Sequence, residues 1–140
     1  MIDARTAPYA ALLLRVSLGV MFIAHALLKV LVFTLPGTAQ FFASVGFPAW
    51  LAYPVTGAEL IGGILLIAGL YSRWVALALV PVLLGATAVH WANGWLFTAQ
   101  NGGWEYPLFL AVAALVQAML GDGKYALSQV KAPSPALKAA

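Results

Sequence analysis

The stretch VTGAELIGGILLIAGLYSRW, residues 55–74, decides the fold. It is apolar, and together with residues 51–54 it supplies the roughly 20 residues a helix needs to cross a bilayer's hydrocarbon core. It carries one acid, Glu59, above a run of glycines. An ionised carboxylate at the centre of such a helix costs about 2.5–3.5 kcal/mol on insertion scales. At about 100° per residue, Gly62, Gly63 and Leu66 fall within roughly 60° of Glu59. Small residues on that face let a neighbouring helix come close. The span is therefore expected to turn its glycine face inward and hold Glu59 inside a bundle. The plain alternative is a neutral Glu59 that hydrogen-bonds to a neighbour.

The rest of the chain has the same character. Of its 140 residues, 64% are hydrophobic and 8% charged, against about 25% charged in a soluble domain. That excludes a soluble globular protein, and the mean hydropathy of +0.96 agrees. At about 20 residues per span, four helices with short connections use up the chain, so one compact domain is expected. The net charge of +3 rests on few residues and gives nucleic-acid binding no support. There is no cysteine, which excludes disulfides, a protein-thiol redox pair and thiolate metal sites. The first apolar run holds Arg15 and His25, and no small-residue cleavage pattern follows it, so no cleavable signal peptide is read.

Working outward, spans are expected at residues 9–33, 51–71, 74–93 and 105–121, forming a single membrane domain over residues 1–128. Tyr71, Ser72 and Arg73 form a tight turn, so the third span must run antiparallel to the second. Pro81 is expected to kink that third span. The connection 34–50 carries no charge. Within it, residues 38–45 are expected to form a short interfacial helix, with Thr38 as N-cap and Gly46 as C-cap residue. The polar tail, residues 129–140, is expected to be disordered. Arg5, Arg73, Lys124, Lys131 and Lys138 lie on one side, and the two long connections have no Lys or Arg. The positive-inside rule then puts both termini in the cytoplasm, and it puts Trp50, Trp91, Trp95 and Trp104 in an outer aromatic belt. The reading is an all-α, integral membrane four-helix bundle, N-in/C-in, in the inner (cytoplasmic) membrane.

This topology allows a depth argument. At about 1.5 Å per residue, His25 and Glu59 lie roughly 10–15 Å below the outer surface. Lys29 is shallower, His90 lies near the outer end of span three, and Glu105 begins span four. Five ionisable groups, at least one from each helix, thus gather in the outer half of one small bundle. Each also has a structural reading. Lys29 could snorkel to the surface or pair with Glu59. His25 could be a hydrogen-bonded interior residue, His90 an interfacial one, and Glu105 a complement to its helix dipole. Arg15 lies in the inner half, some 21 Å from Lys29 along the axis. It is expected to reach cytoplasmic phosphates or the end of span two. Haem and metal are disfavoured, because no ligand spacing supports either. A mildly apolar pocket with a histidine and an acid would suit a quinone, whose head group needs hydrogen-bond and proton partners.

These residues also carry a resemblance. R-x-x-x-G at 15–19 and H-x-x-x-K at 25–29 are followed by G-F-P at 46–48. Then come A-E-L-I-G-G-I-L-L-I-A-G-L at 58–70, Arg73, and G-D-G-K-Y-A-L-S at 121–128. Together they resemble the DoxX family over nearly the whole chain. The resemblance implies a four-helix inner-membrane protein related to membrane subunits of quinone-linked oxidoreductases, thiosulfate:quinone oxidoreductase among them. It also implies links to thiol or oxidative stress. It lends interest to Arg15, Gly19, His25, Lys29, Glu59, Gly62, Gly63 and Arg73 without assigning them roles. The absence of cysteine means that any sulfur chemistry must be carried by a partner or a bare ligand.

The first functional expectation is a membrane subunit of a redox system, with Glu59 and His25 handling protons. In that reading Lys29, His90 and Glu105 line a substrate or quinone site. Lys29 neutralises negative charge on a reduced ring or an anionic substrate, and Arg15 and Arg73 serve the cytoplasmic side or a soluble oxidoreductase or stress-response partner. The alternatives are a non-catalytic membrane scaffold for a soluble partner and a small transport component. Donor, acceptor and oligomeric state are left open.

Overall fold

The computed structural model describes residues 3–130, and of residue 130 only the backbone. Those residues form six helices and no strand. Helix α1, Ala7–Leu27, opens with Pro8 in its first turn and continues as one π turn, Leu28–Val32. The chain reverses at Thr34 (φ +62°) into α2, Leu35–Ser44. A short 3-10 turn, Ala49–Leu51, leads into α3, Ala52–Ala68. Then follow α4, Ser72–His90, with a 3-10 turn Trp91–Asn93, and α5, Glu105–Leu120. The short α6, Leu127–Val130, ends the described chain. Of the expected polar tail, residues 131–140 lie outside the described residues.

Three of these segments, Ala7–Val32, Ala49–Ala68 and Ser72–Asn93, are long and apolar enough to cross a membrane. Helix α5 has 16 residues, about 24 Å at 1.5 Å per residue. It is apolar but shorter than the other three, because the connection before it runs on to Trp104. Helix α1 packs mainly on α3, and α4 on α5, with α3 against α4 and α1 against α5 closing the ring. Contacts pairing residue 15 with 67 and 29 with 59, and residue 8 with 124, make neighbouring helices antiparallel. The result is an up-and-down four-helix bundle. Both ends of the described chain, and the α3–α4 turn, meet at one end. Helix α2 and the connection before α5 occupy the other.

The surface is the reverse of a soluble protein's. Met119 is 80% exposed, and Phe109 and Leu31 are more than 70% exposed. The interior is largely small or polar: Ala26, Ala52, Ala76 and Ala114 are buried, as are Arg15, Thr56, Glu59 and Gln117. Between helices in lipid the hydrophobic effect contributes little, so contact depends on close packing and polar pairing. The glycine face of α3 supplies the first. A Cβ on Gly63 would lie 2.7 Å from the Gly19 carbonyl oxygen, and a Cβ on Gly19 would lie 2.7 Å from that of Gly63. Helices α1 and α3 therefore cross backbone to backbone. Gly62 instead meets the Leu79 side chain of α4.

One local expectation needs correction. Helix α2 begins three residues before the expected start. Thr34, not Thr38, is the N-cap, its hydroxyl accepting from the Gly37 amide at 3.2 Å. Thr38 is buried inside α2 and donates back to the carbonyls of Thr34 and Lys29. Pro81 lies inside α4.

Candidate functional site

The crossing at Gly19 and Gly63 sets the distance between α1 and α3, and so decides what can meet above it. Nearly three turns further along the chain, in the π turn that continues α1, Lys29 meets Glu59 of α3. Nζ lies 2.6 Å from Oε2, a short, charge-assisted contact. The Glu59 side chain is 8% exposed and that of Lys29 18% exposed. It is the one ion pair among the described residues. Each charge offsets the burial cost of the other. Lys29 sits in the π turn, where the Phe33 amide reaches back five residues to the Leu28 carbonyl at 2.9 Å. The Lys29 carbonyl accepts from the Thr38 hydroxyl at 3.3 Å. The lysine is thus fixed from two sides, by its carboxylate and by α2. One N–H of the ammonium is used by Glu59, and the others make no hydrogen bond within the described residues.

The other three groups of the expected cluster make contacts of their own. His25 Nδ1 lies 2.8 Å from the Met21 carbonyl oxygen, one turn back in α1. Its ring stacks on Tyr106 of α5, centroids 6.1 Å apart, and the Tyr106 hydroxyl lies 3.7 Å from Met21 Sδ. His90 repeats the pattern, with Nδ1 2.8 Å from the Ala86 carbonyl oxygen. Glu105 accepts from the Phe97 amide at 2.9 Å and so closes the connection before α5. Trp91 and Trp95 pack on Trp104 beside it, each pair 4.7 Å apart. Lys29 and Glu59 are brought into contact, His25 stands one turn from Lys29, His90 bonds within its own helix, and Glu105 fastens the connection. Among the described residues no three His, Asp or Glu side chains form a metal-binding group.

Arg15 has a different fate. It is 1% exposed, and its guanidinium donates to four backbone carbonyls. These are Asp122 at 2.9 Å, Leu66 at 2.9 Å, Ile67, and Lys124 at 3.1 Å. The first part of the expectation, contact with phosphates, is replaced by the second, contact with the end of α3. Gly69 ends α3 in the left-handed conformation, φ +69°. A side chain there would collide with Ala126 and with the guanidinium. Asp122 accepts from the Ser72 amide at 2.8 Å and from the Ser128 hydroxyl at 2.6 Å. Burial alone would raise its pKa. The hydrogen bonds from Ser128 and Ser72, and the charge on Arg15, outweigh that and hold it below the ordinary carboxylate value. Arg73 is exposed and lines a shallow groove with Leu77, Leu115, Ala118 and Met119.

Sequence reasoning passed over Tyr106, Thr38 and Asp122. Nothing in the spacing marks Tyr106 or Thr38, whose partners lie on other helices. Asp122 did leave a signal. A buried Arg15 near one end needs acceptors at that end, and the Gly-Asp-Gly turn at 121–123 is the polar segment there.

A family model described as DoxX matches residues 10–91. The match includes Arg15, Gly19, His25, Lys29, Glu59, Gly63, Arg73 and His90, and ends before Glu105 and Asp122. The chain is similar to Putative oxidoreductase CatD of Bacillus subtilis (strain 168), with 44% identity over 75 residues, 54% of each chain. It therefore spans about half the length of that curated relative. No solved structure matches it.

Proposed function

The chain belongs to the DoxX family, and from that premise we propose that it is the membrane subunit of a redox system that takes a quinone or a small oxidant beside Lys29 and Glu59. One observation carries the reading: the ion pair that joins α1 to α3 inside membrane-spanning helices, with unused N–H groups on the ammonium. Ionisable residues in spans are costly and by default mark a site. The name of the Bacillus relative, an oxidoreductase, points the same way. The donor set fits a quinone head: an ammonium with free donors, a histidine one turn away, and an aromatic ring from α5. A bound quinone would supply two-electron, two-proton chemistry. The chain's own part is to present Lys29 to a ring oxygen, to keep Lys29 in place through Glu59 and Thr38, and to offer proton partners in Glu59 and His25.

The test is to purify the chain in mild detergent, extract it with solvent and assay quinone, then repeat with Glu59→Gln. Stoichiometric quinone that falls several-fold in the variant, with unfolding unchanged, is the expected result. Quinone content and linked activity indifferent to Glu59→Gln would sink the assignment. A second reading, a membrane anchor for a soluble partner, draws on the exposed Arg73 at the end where both ends of the described chain meet. It predicts that a copurifying protein is lost with Arg73→Ala and kept with Glu59→Gln; retention in both would remove it.

A further inference from the structure

We propose that the groove between α4 and α5 seats one anionic phospholipid, with its phosphate on Arg73 and the first carbons of one acyl chain laid along the apolar lining. The site is separate from the Lys29–Glu59 pair, and it gives Arg73 a ligand of its own.

Five residues line this groove: Arg73 and Leu77 from α4, and Leu115, Ala118 and Met119 from α5. Ala118 is buried and makes the floor, while Leu77, Leu115 and Met119 are exposed and make the sides. Leu77 stands one turn from Arg73, about 6 Å along the axis, so the groove leads from the guanidinium into the apolar span. An exposed apolar lining is ordinary on a membrane helix. A cation at its head is not, and it selects the occupant.

Among the described residues Arg73 makes no ion pair. Its guanidinium lies against the end of α5, where a Cβ on Gly121 would come within 3.9 Å of Nη2. Tyr71 and Trp74, both exposed, flank it in the chain. Exposed tyrosine and tryptophan sit at the headgroup level of a bilayer, which sets Arg73 at the depth of lipid phosphates. A guanidinium can take two phosphate oxygens at once.

The charge balance chooses between lipids. The chain has four carboxylate side chains. Glu59 is taken by Lys29 and Glu105 by the Phe97 amide, while Asp3 accepts from the Arg5 amide and Asp122 from Ser72 and Ser128. None of them lines the groove. A zwitterionic head group would bring its ammonium to a rim with no carboxylate to receive it, at the end where Arg5 and Lys124 are also exposed. An anionic head group brings no such charge.

The full chain in nanodiscs of equal parts phosphatidylglycerol and phosphatidylcholine tests this, by native mass spectrometry of the lipid that stays bound on release. Phosphatidylglycerol should be retained about tenfold over phosphatidylcholine, the effect of one charge-assisted contact. Arg73→Gln should remove that preference. Its unfolding temperature in phosphatidylcholine alone should match the parent's, which separates lost lipid from lost fold. Lys124→Gln, at the same end but outside the groove, should leave the preference intact. Millimolar inorganic phosphate should not displace the lipid, because it has no chain to lay in the groove. Equal retention of the two lipids, a preference that survives Arg73→Gln, an equal loss with Lys124→Gln, or displacement by phosphate would overturn the proposal. So would a soluble protein or a second copy of the chain that leaves with Arg73→Gln while lipid retention stays the same. None of these outcomes touches the reading at Lys29 and Glu59.

Discussion

Helix α1 and the π turn that continues it carry two cations, roughly 21 Å apart along the axis, and the bundle treats them in opposite ways. Arg15 is surrounded by backbone: four carbonyls from two segments, the end of α3 and the turn after α5, accept from its guanidinium, and no carboxylate touches it within ion-pair distance. Lys29 has a single side-chain partner, Glu59, and keeps N–H groups unused. A planar, permanently charged fork suits the first task. A compact ammonium with spare donors suits the second. The comparison separates a cation that holds the chain together from one that leaves chemistry open.

The comparison can be broken most directly at Arg15. Arg15→Met removes the buried guanidinium that four carbonyls share and should cost about 3 kcal/mol or more, read as a large drop in thermal unfolding temperature in detergent. Arg15→Lys should recover little, because three donors on a point cannot replace the fork. A stable Arg15→Lys protein would deny the distinction drawn here. Next in size, Gly63→Val forces side-chain atoms into the Gly19 backbone and should cost about 1–3 kcal/mol. It should also weaken quinone retention, since the same crossing aligns Lys29 with Glu59. If retention is untouched, the pair does not depend on the glycine face.

At the other cation the effects on stability should be smaller. Lys29→Met combined with Glu59→Leu replaces a buried ion pair by apolar groups of similar size. It should leave stability within about 1 kcal/mol of the parent or raise it, while removing ligand-linked activity. Loss of both together would make the pair structural. The smallest effect is the pH dependence contributed by Asp122. Its folded pKa lies below the ordinary carboxylate value, so its contribution is full above about pH 4 and is lost as pH falls through the folded value. Asp122→Asn should flatten that acid limb of the unfolding temperature. An unchanged limb would place the acid sensitivity elsewhere.

What could be read beforehand follows the same division. The span 51–71 and its inward glycine face were legible, because a 3.6-residue period and the cost of burying Glu59 leave few alternatives. Pairing of Lys29 with Glu59 stood among the readings because both lie at similar depth. The Arg15 anchorage was only half legible. Its acceptors are main-chain carbonyls from residues more than 50 positions away, and carbonyls leave no mark in a sequence. His25 and His90 bond to their own helices, so equal depth alone did not predict what they touch. Helix α2 was misplaced because two threonines compete as its cap. Thr34 wins by adopting the positive φ that turns the chain, and Thr38 is left to hold Lys29.

The π turn at Leu28–Val32 has a consequence for chain length. Such a turn holds one residue more than the α-helix would in the same place. Removing Leu28 would let α1 run on as a regular helix with the elements beyond it in their old phase. Lys29 would then sit one position earlier, about 100° round the helix from its place opposite Glu59, and its carbonyl would leave Thr38. In this segment the count of residues, as much as their identity, sets the phase that brings Lys29 to Glu59.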